Sequence, residues 1–427
     1  MTISLGNRAK MSTSTTGTGT ITLGNAVSGF QTFADAGITN GQTVRYAIDD
    51  GANFEIGSGT YTSSGTTLTR SVTESSNSDS AISLSGSAEV FIAATVADLN
   101  PLYIANPSSA TNPTAAGTNA VSIGSGSVAS GEKGFALLGG TASGQYAMAF
   151  NNYAVASAEK SISLGWLTDA TATSAVAIGT GTQSSGSHSV SLGQANASGA
   201  DSFAAAINNS TSSYGATGAN SIAMGNHNKS TGTQSISLGG YNNVSSGNSS
   251  FVTGYQALAS GAYGVAAGFQ AQATEPSTVA LGYQAEASAI YSIAIGNNAK
   301  SAVSRQIAFS AGRFAALGDA QGSIFILRSD TTDATAEAMT TNNSTAAADN
   351  QIVAASDTCI MFSGTIVAMQ NGAADQGGWE IKGLLKNDGG TTTLVSSNIQ
   401  TFAEGNGWAV ALSADNTNNA LKVQVTG

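Results

Sequence analysis

Residues 277–304 read STVALGYQAEASAI and then YSIAIGNNAKSAVS, two lines of fourteen in which Val279-Ala280-Leu281-Gly282 stand over Ile293-Ala294-Ile295-Gly296 and Ala285 over Ala299. The large–small–large pattern is the period-two alternation of a β-strand, and the glycine that closes it permits a sharp turn. A second short segment of small residues follows, as in QALAS (256–260) and QAEAS (284–288). Two short strands and two turns make one flat coil. Stacked coils pair each strand with its equivalent in the next copy, parallel and in register, at about 4.8 Å per coil. We read Val279 and Leu281 as packing inward and Ala280 as the close-approach surface to a neighbouring chain.

The same unit recurs along much of the chain. Aligned on the residue that closes each apolar triplet, the copies fall at 124, 139, 151, 165, 179, 193, 208, 225, 239, 254, 268, 282, 296 and 310; eight of the thirteen intervals are 14. A fixed period of this kind dictates a solenoid, here a stack of fourteen coils about 65 Å long at the strand spacing. Only eleven charged residues lie between 111 and 310. An in-register stack sets like charges over one another, which is destabilising, so low charge is a requirement of the geometry. Glu286 over Lys300 is the permitted exception. A coil this thin has no core of its own on its Ala/Ser face, and identical chains around an axis are the economical cover. The expected fold is therefore all-β: an N-terminal β domain, a parallel β-roll shaft and a C-terminal β-sandwich-like tip, assembled as a homotrimer.

The boundaries come from composition. Residues 1–100 hold short β-branched and aromatic runs (TITLG, TVRYAID, NFEIGSGTYT, TTLTRSV, AEVFIAAT) with Asn40-Gly41 and Asp50-Gly51 as hairpin turns. Met11 offers an alternative start that would leave the first ten residues a poorly ordered extension. Pro101, Pro107 and Pro113 mark a neck over 101–118. The roll spans 119–310. Residues 311–427 stop repeating, gain charge, and show longer strands (SIFILRS, MFSGTIVAMQ, GWEIKGLLK, TTTLVSS, GWAVALSA, LKVQVTG) with a hairpin at Asp388-Gly389-Gly390.

Net charge is −11, from 14 basic and 25 acidic side chains, which argues against nucleic acid and anionic membrane surfaces as partners. Cys359 is the single cysteine, so no disulfide framework exists. The polar N-terminus shows no secretory h-region, and no apolar run approaches the ~20 residues of a bilayer span, so membrane insertion is not expected.

SISLG (161–165), SAVAIGTGTQSSG (174–186), NSIAMG (220–225) and STVALGYQAEAS (277–288) resemble the head repeats of trimeric autotransporter adhesins. That resemblance implies trimers of left-handed parallel β-rolls. The chain departs from those adhesins in showing no signal peptide, heptad-rich stalk or four-strand membrane anchor. Its opening (MSTSTTGTGTITLGNAVSGFQTFADAGITNGQTVRYAIDDGANFEIGSGTYTSSGTTLTR) and its ending from GDAQGSIFILRSD are instead similar to the terminal segments of bacteriophage fibre proteins. This implies a virion fibre, on tail or capsid, docking to other virion proteins through residues 1–100 and recognising a host surface polysaccharide or outer-membrane protein through the tip. The alternatives are a bacterial cell-surface adhesin and, further off, a glycan-degrading tailspike.

Candidate chemistry is sparse, and we expect no enzyme, no cofactor and no metal. His188 and His227 lie in or near turns, where a solvated histidine is commoner than an axial ligand. Glu275 and Glu286 are eleven residues apart and not in equivalent positions, unlike the paired carboxylates of glycosidases. Asp330, Asp333 and Glu337 read as loop residues, and GSGSVASG (124–131) is repeat text with no helix after it. Binding is better served. Tyr255, Phe269 and Tyr283 follow the closing glycine in three consecutive coils and should stack as a ladder, either as a stabilising device or as a receptor-contacting stripe. Trp379 and Trp408 in the tip pose the same choice.

Overall fold

The computed structural model describes residues 3–95, 98, 111–208, 213–372, 374–405 and 407–427. The chain divides into two compact units, Met1–Ala110 and Thr111–Gly427. Most of the proline neck, including Pro101 and Pro107, lies outside the described residues.

In the first unit, eight strands form one sheet in the order Ile3–Ser4, Thr43–Asp50, Glu89–Ile92, Lys10–Thr13, Ile21–Ala26, Thr67–Leu68, Asn53–Thr62, Ser71–Ser75. Thr43–Asp50 also pairs with Asn53–Thr62, so the sheet closes on itself as a barrel. Its core is formed by Met11, Ile21, Phe33, Tyr46, Ile48 and Leu68. The start of the chain belongs to it: Ile3–Ser4 runs parallel to Thr43–Val44, and Ala9 and Met11 are buried. The expected loose extension is thus corrected, because these residues complete a sheet edge and fill the barrel. The hairpin also shifts by one. Asp50 pairs with Asn53, leaving Gly51-Ala52 as the central turn residues, with Gly51 at φ 69°. Asn40-Gly41 makes no hairpin; the Asn40 side chain accepts a hydrogen bond from the Ser63 N–H at 3.0 Å.

The second unit opens with the roll. Fourteen two-residue strands, from Thr114–Ala115 to Lys300–Ser301, form one parallel sheet. Fourteen longer ones, from Val121–Ile123 to Ile307–Ser310, form a second. Each strand pairs with the equivalent one coil on; Val279, Ala280 and Leu281 stand against Ile293, Ala294 and Ile295. Two closing positions move from where the alignment set them. Leu138 (φ 53°) rather than Gly139, and Ala206 (φ 54°) rather than Asn208, directly follow the triplets Phe135–Leu137 and Phe203–Ala205.

The faces of the roll are the reverse of our reading. The small residues fill the interior: Ala266, Ala280, Ala294 and, from the short strands, Ala259, Ala273 and Ala287 are fully buried. Serine does the same elsewhere, the Ser184 and Ser189 hydroxyls meeting at 2.6 Å inside the coil. The large residues point out. Val279, Leu281 and Ile293 are only half-buried, while Ile295 and Phe309 are 44% and 50% exposed. The reason is spatial: two sheets joined by turns this short leave little room between them. The interior strand positions hold a methyl or hydroxyl group, with Val252, fully buried in register with Ala266, the one larger side chain among them. The roll ends under a cap. Gln321–Ile324 pairs antiparallel with Ile307–Ser310 and covers the open edge of the long-strand sheet. The Gln321 side chain bonds both the N–H and the carbonyl of Lys300, at 2.9 and 2.8 Å, in place of a next short strand.

Beyond the cap, Thr358–Met369, Gln376–Asp388 and Thr391–Ala403 form an antiparallel sheet. Ala420–Thr426 pairs with Glu337–Ala338, Ile352–Val353 and Ala409–Asp415 in another. Leu385, Trp379 and Ile381 of the first join Leu421 and Val423 of the second in one core, making a two-layer sandwich. Gly389 and Gly390, at φ 57° and 89°, form the expected two-residue turn between Asp388 and Thr391.

Candidate functional site: ring and amide rails along one turn of the roll

The long strands Phe251–Tyr255, Val265–Phe269 and Val279–Leu281, together with the turns that follow them, hold a ring and a glutamine side by side, and their equivalents lie in line along the stack. Glycine sets the spacing. Gly254 and Gly268 have φ of 135° and 136°, and a Cβ on them would lie 2.0 and 2.2 Å from the carbonyl oxygen one coil on. Only glycine allows that approach. The rings just after it then meet face to face: Tyr255 and Phe269 have centroids 5.2 Å apart at an interplanar angle of 2°, and Phe269 and Tyr283 are 5.0 Å apart at 6°.

The stack is longer than the sequence implied. Tyr241 lies 5.7 Å from Tyr255, His227 is 5.3 Å from Tyr241, and Tyr214 stacks on His227 at 4.7 Å, giving six rings in a row. Tyr241 escapes a count from the closing glycine because Gly239 is followed by Gly240. A bulge between Leu238 and Tyr241 absorbs the extra residue and returns Tyr241 to register with Tyr255. Pair contacts of this kind are each worth about 0.5–1.5 kcal/mol beyond burial.

Next to the rings runs a row of amides. Gln256, Gln270 and Gln284 occupy the left-handed region at φ 53°, 53° and 52°, and each backbone N–H donates to the ring-bearing residue one coil back. Their side chains are linked as well: Gln270 Nε2 donates to Gln256 Oε1 at 3.0 Å, and Gln284 Nε2 to Gln270 Oε1 at 2.8 Å. The row closes at Asn298, where the ring position holds Asn297. Asn298 is 6% exposed and its Oδ1 has no hydrogen-bond partner.

The remaining candidates are dispersed. Trp379 is 4% exposed in the tip core, with Trp408 half-buried against that core. His188 is exposed, its Nδ1 3.4 Å from Asp201 Oδ1, while His227 is held in the ring stack. No group of three His, Cys, Asp or Glu that could hold a metal ion occurs among the described residues. Glu286 pairs with Lys300 at 3.1 Å. Asp330 accepts from Asn343 Nδ2 at 3.0 Å, the Glu337 carboxylate from the Ser329 hydroxyl at 3.1 Å, and Asp333 from the Thr335 N–H at 2.7 Å. The Thr335 hydroxyl, and after it this N–H, holds the Asp333 carboxyl below the usual carboxylate range. Each of these four acids is occupied by a local partner.

Residues 115–137, 142–168, 170–194, 216–242 and 273–299 match the YadA head domain repeat. These five stretches of the roll are similar to YadA-type head repeats. Repeats of this kind point to an adhesin-like fibre, to a surface-exposed extracellular setting and to homotrimer formation. No curated protein matches the chain.

Proposed function

We propose that the chain is a homotrimeric virion fibre of a bacteriophage. Residues 1–100 attach to other virion proteins, 101–113 are a neck, 114–310 a rigid shaft, and 311–427 a tip that meets a polysaccharide or outer-membrane protein of the host. The first strand of the shaft, Thr114–Ala115, moves its start five residues ahead of the expected 119. The observation that carries the fibre reading is the apolar stripe of half-exposed Val, Ile and Leu along a continuous stack of coils. In a lone chain this stripe faces water, and three copies around an axis bury it. The phage assignment is supported by the likeness of the two ends to phage fibre proteins. Recognition falls to the loops of the tip and to the exposed rings Tyr255, Phe269 and Tyr283. Several three-tipped fibres on one particle convert weak contacts into avidity.

A bacterial cell-surface adhesin is equally consistent with the repeats and remains the second reading. Gold-labelled antibody against the purified chain separates the two. Label on purified particles is the expected result; label confined to the bacterial envelope overturns the virion assignment in favour of the adhesin.

A further inference from the structure

We infer that the amide rail is one wall of a glycan-binding groove, with an extended β-1,4-linked chain of hexopyranoses as its ligand. The groove has a volume of about 360 Å³ and lies where the loop after the last coil comes back beside the roll. Gln256, Gln270 and Gln284 line one side. Gln272 and Glu286, neighbours on adjacent short strands, line the roll behind it, and Arg313 stands on the loop, with Leu317 beside it as the one apolar side chain. The loop is held in place rather than left to adapt. Asp319 accepts hydrogen bonds from the N–H groups of Phe314, Ala315 and Ala316 at 2.6–2.8 Å, and the Gly318 N–H donates to the Asn298 carbonyl at 3.1 Å.

The chemistry of the walls selects the ligand. A glutamine amide has two donors and two acceptor sites, and each link in the rail uses one donor and one acceptor. Gln270, linked on both sides, keeps one N–H and one lone pair for a ligand, and Gln256 and Gln284 keep more. A hydroxyl is also donor and acceptor at once, so a row of such amides matches a row of sugar hydroxyls. Arg313 makes no ion pair among the described residues and offers further donors; Glu286, paired with Lys300, keeps acceptor sites.

The spacing decides between polymers. Successive amides are one coil apart, about 4.8 Å, close to the advance of an extended glycan per pyranose, whereas an extended peptide advances about 3.3 Å per residue and falls out of step within two. The three amides therefore address consecutive sugars. The rings alongside have their faces used on one another and keep the turns in line, so in this groove the hydrogen bonds to sugar hydroxyls fall to the amides.

This inference rests on the fibre reading only in taking the chain for a recognition protein, and titration calorimetry on the full-length protein tests it with cellotetraose and N-acetylchitotetraose as probes. Binding of at least one is expected. Gln270→Ala/Gln284→Ala should weaken it at least tenfold, with the far-ultraviolet circular dichroism unchanged. Arg313→Ala, on the loop after the last coil, should weaken it several-fold and keeps the test open if the double variant misfolds. No heat with either probe at millimolar sugar overturns the inference, and so does binding that both variants leave intact. Adherence of the wild-type chain to host cells, scored in parallel, keeps the readings apart. Adherence without tetrasaccharide binding removes the groove alone, and loss of both removes the recognition role as well.

Discussion

Glu55 is the most constrained charge in the molecule: fully buried in the barrel, it takes the guanidinium of Arg70, the Tyr46 hydroxyl at 2.7 Å and the Ile82 N–H at 2.9 Å. Burial alone would raise its pKa; the donors from Arg70, Tyr46 and Ile82 outweigh burial and lower it. A carboxyl depressed in the folded state contributes stability above its unfolded value of about 4.3, and that contribution is lost as pH falls through the lower folded value. The first unit should therefore weaken below about pH 4. Glu55→Gln, which leaves Arg70 buried and unpaired, should cost about 3–5 kcal/mol at neutral pH and flatten the acid limb. Denaturant titration across pH measures both. In the roll, Gly268→Ala combines a positive φ with a Cβ 2.2 Å from the Gly282 carbonyl oxygen, and should cost upward of about 1–3 kcal/mol, read as a lower melting temperature. Little at this scale was legible beforehand. Glu55 and Arg70 carry no local pattern linking them, and Tyr241 was hidden by one extra glycine, although the three rings that follow a single closing glycine were found.

The coil itself was legible because its period, its alternation and its closing glycine all express one geometry. Which face looks inward was not, since strict alternation states that two faces differ without stating which is covered. That is settled by the distance between the two sheets, a property of the turns. The assignment is open to a paired test. Ala280 is fully buried among Ala266, Ala287 and Ala294, so Ala280→Leu has no room and should lower stability by at least about 1–3 kcal/mol through overpacking. Ile293 is half-buried on the outer stripe, so Ile293→Ser should leave the dichroism of the coil in place and reduce assembly. Thermal unfolding and sedimentation of both variants read the two effects. A tolerated leucine at 280 beside a collapsed roll at 293 would return the small face to the outside.

For the whole molecule, the low charge that in-register stacking demands has a consequence for assembly. Charged residues make up 9% of the chain, and the outer stripe that includes Val279, Ile293, Ile295 and Phe309 is apolar along its length. An interface formed there is held by removal of apolar area from water, at about 25 cal/mol per Å², and not by ion pairs. At 1 M salt the screening length is about 3 Å, short enough to quench exposed charge contacts while leaving apolar burial untouched. Sedimentation equilibrium should accordingly give three times the 42.2 kDa chain mass both at 50 mM and at 1 M sodium chloride. A chain-sized species at either salt would remove the threefold assembly. A trimer that dissociates only at 1 M would keep the assembly but move its origin from the apolar stripe to the few charged pairs, Glu132–Lys133, Glu159–Lys160 and Glu286–Lys300 among them. The stripe positions Val279, Ile293, Ile295 and Phe309 carry no charge, which is why the salt-independent trimer is the expected result.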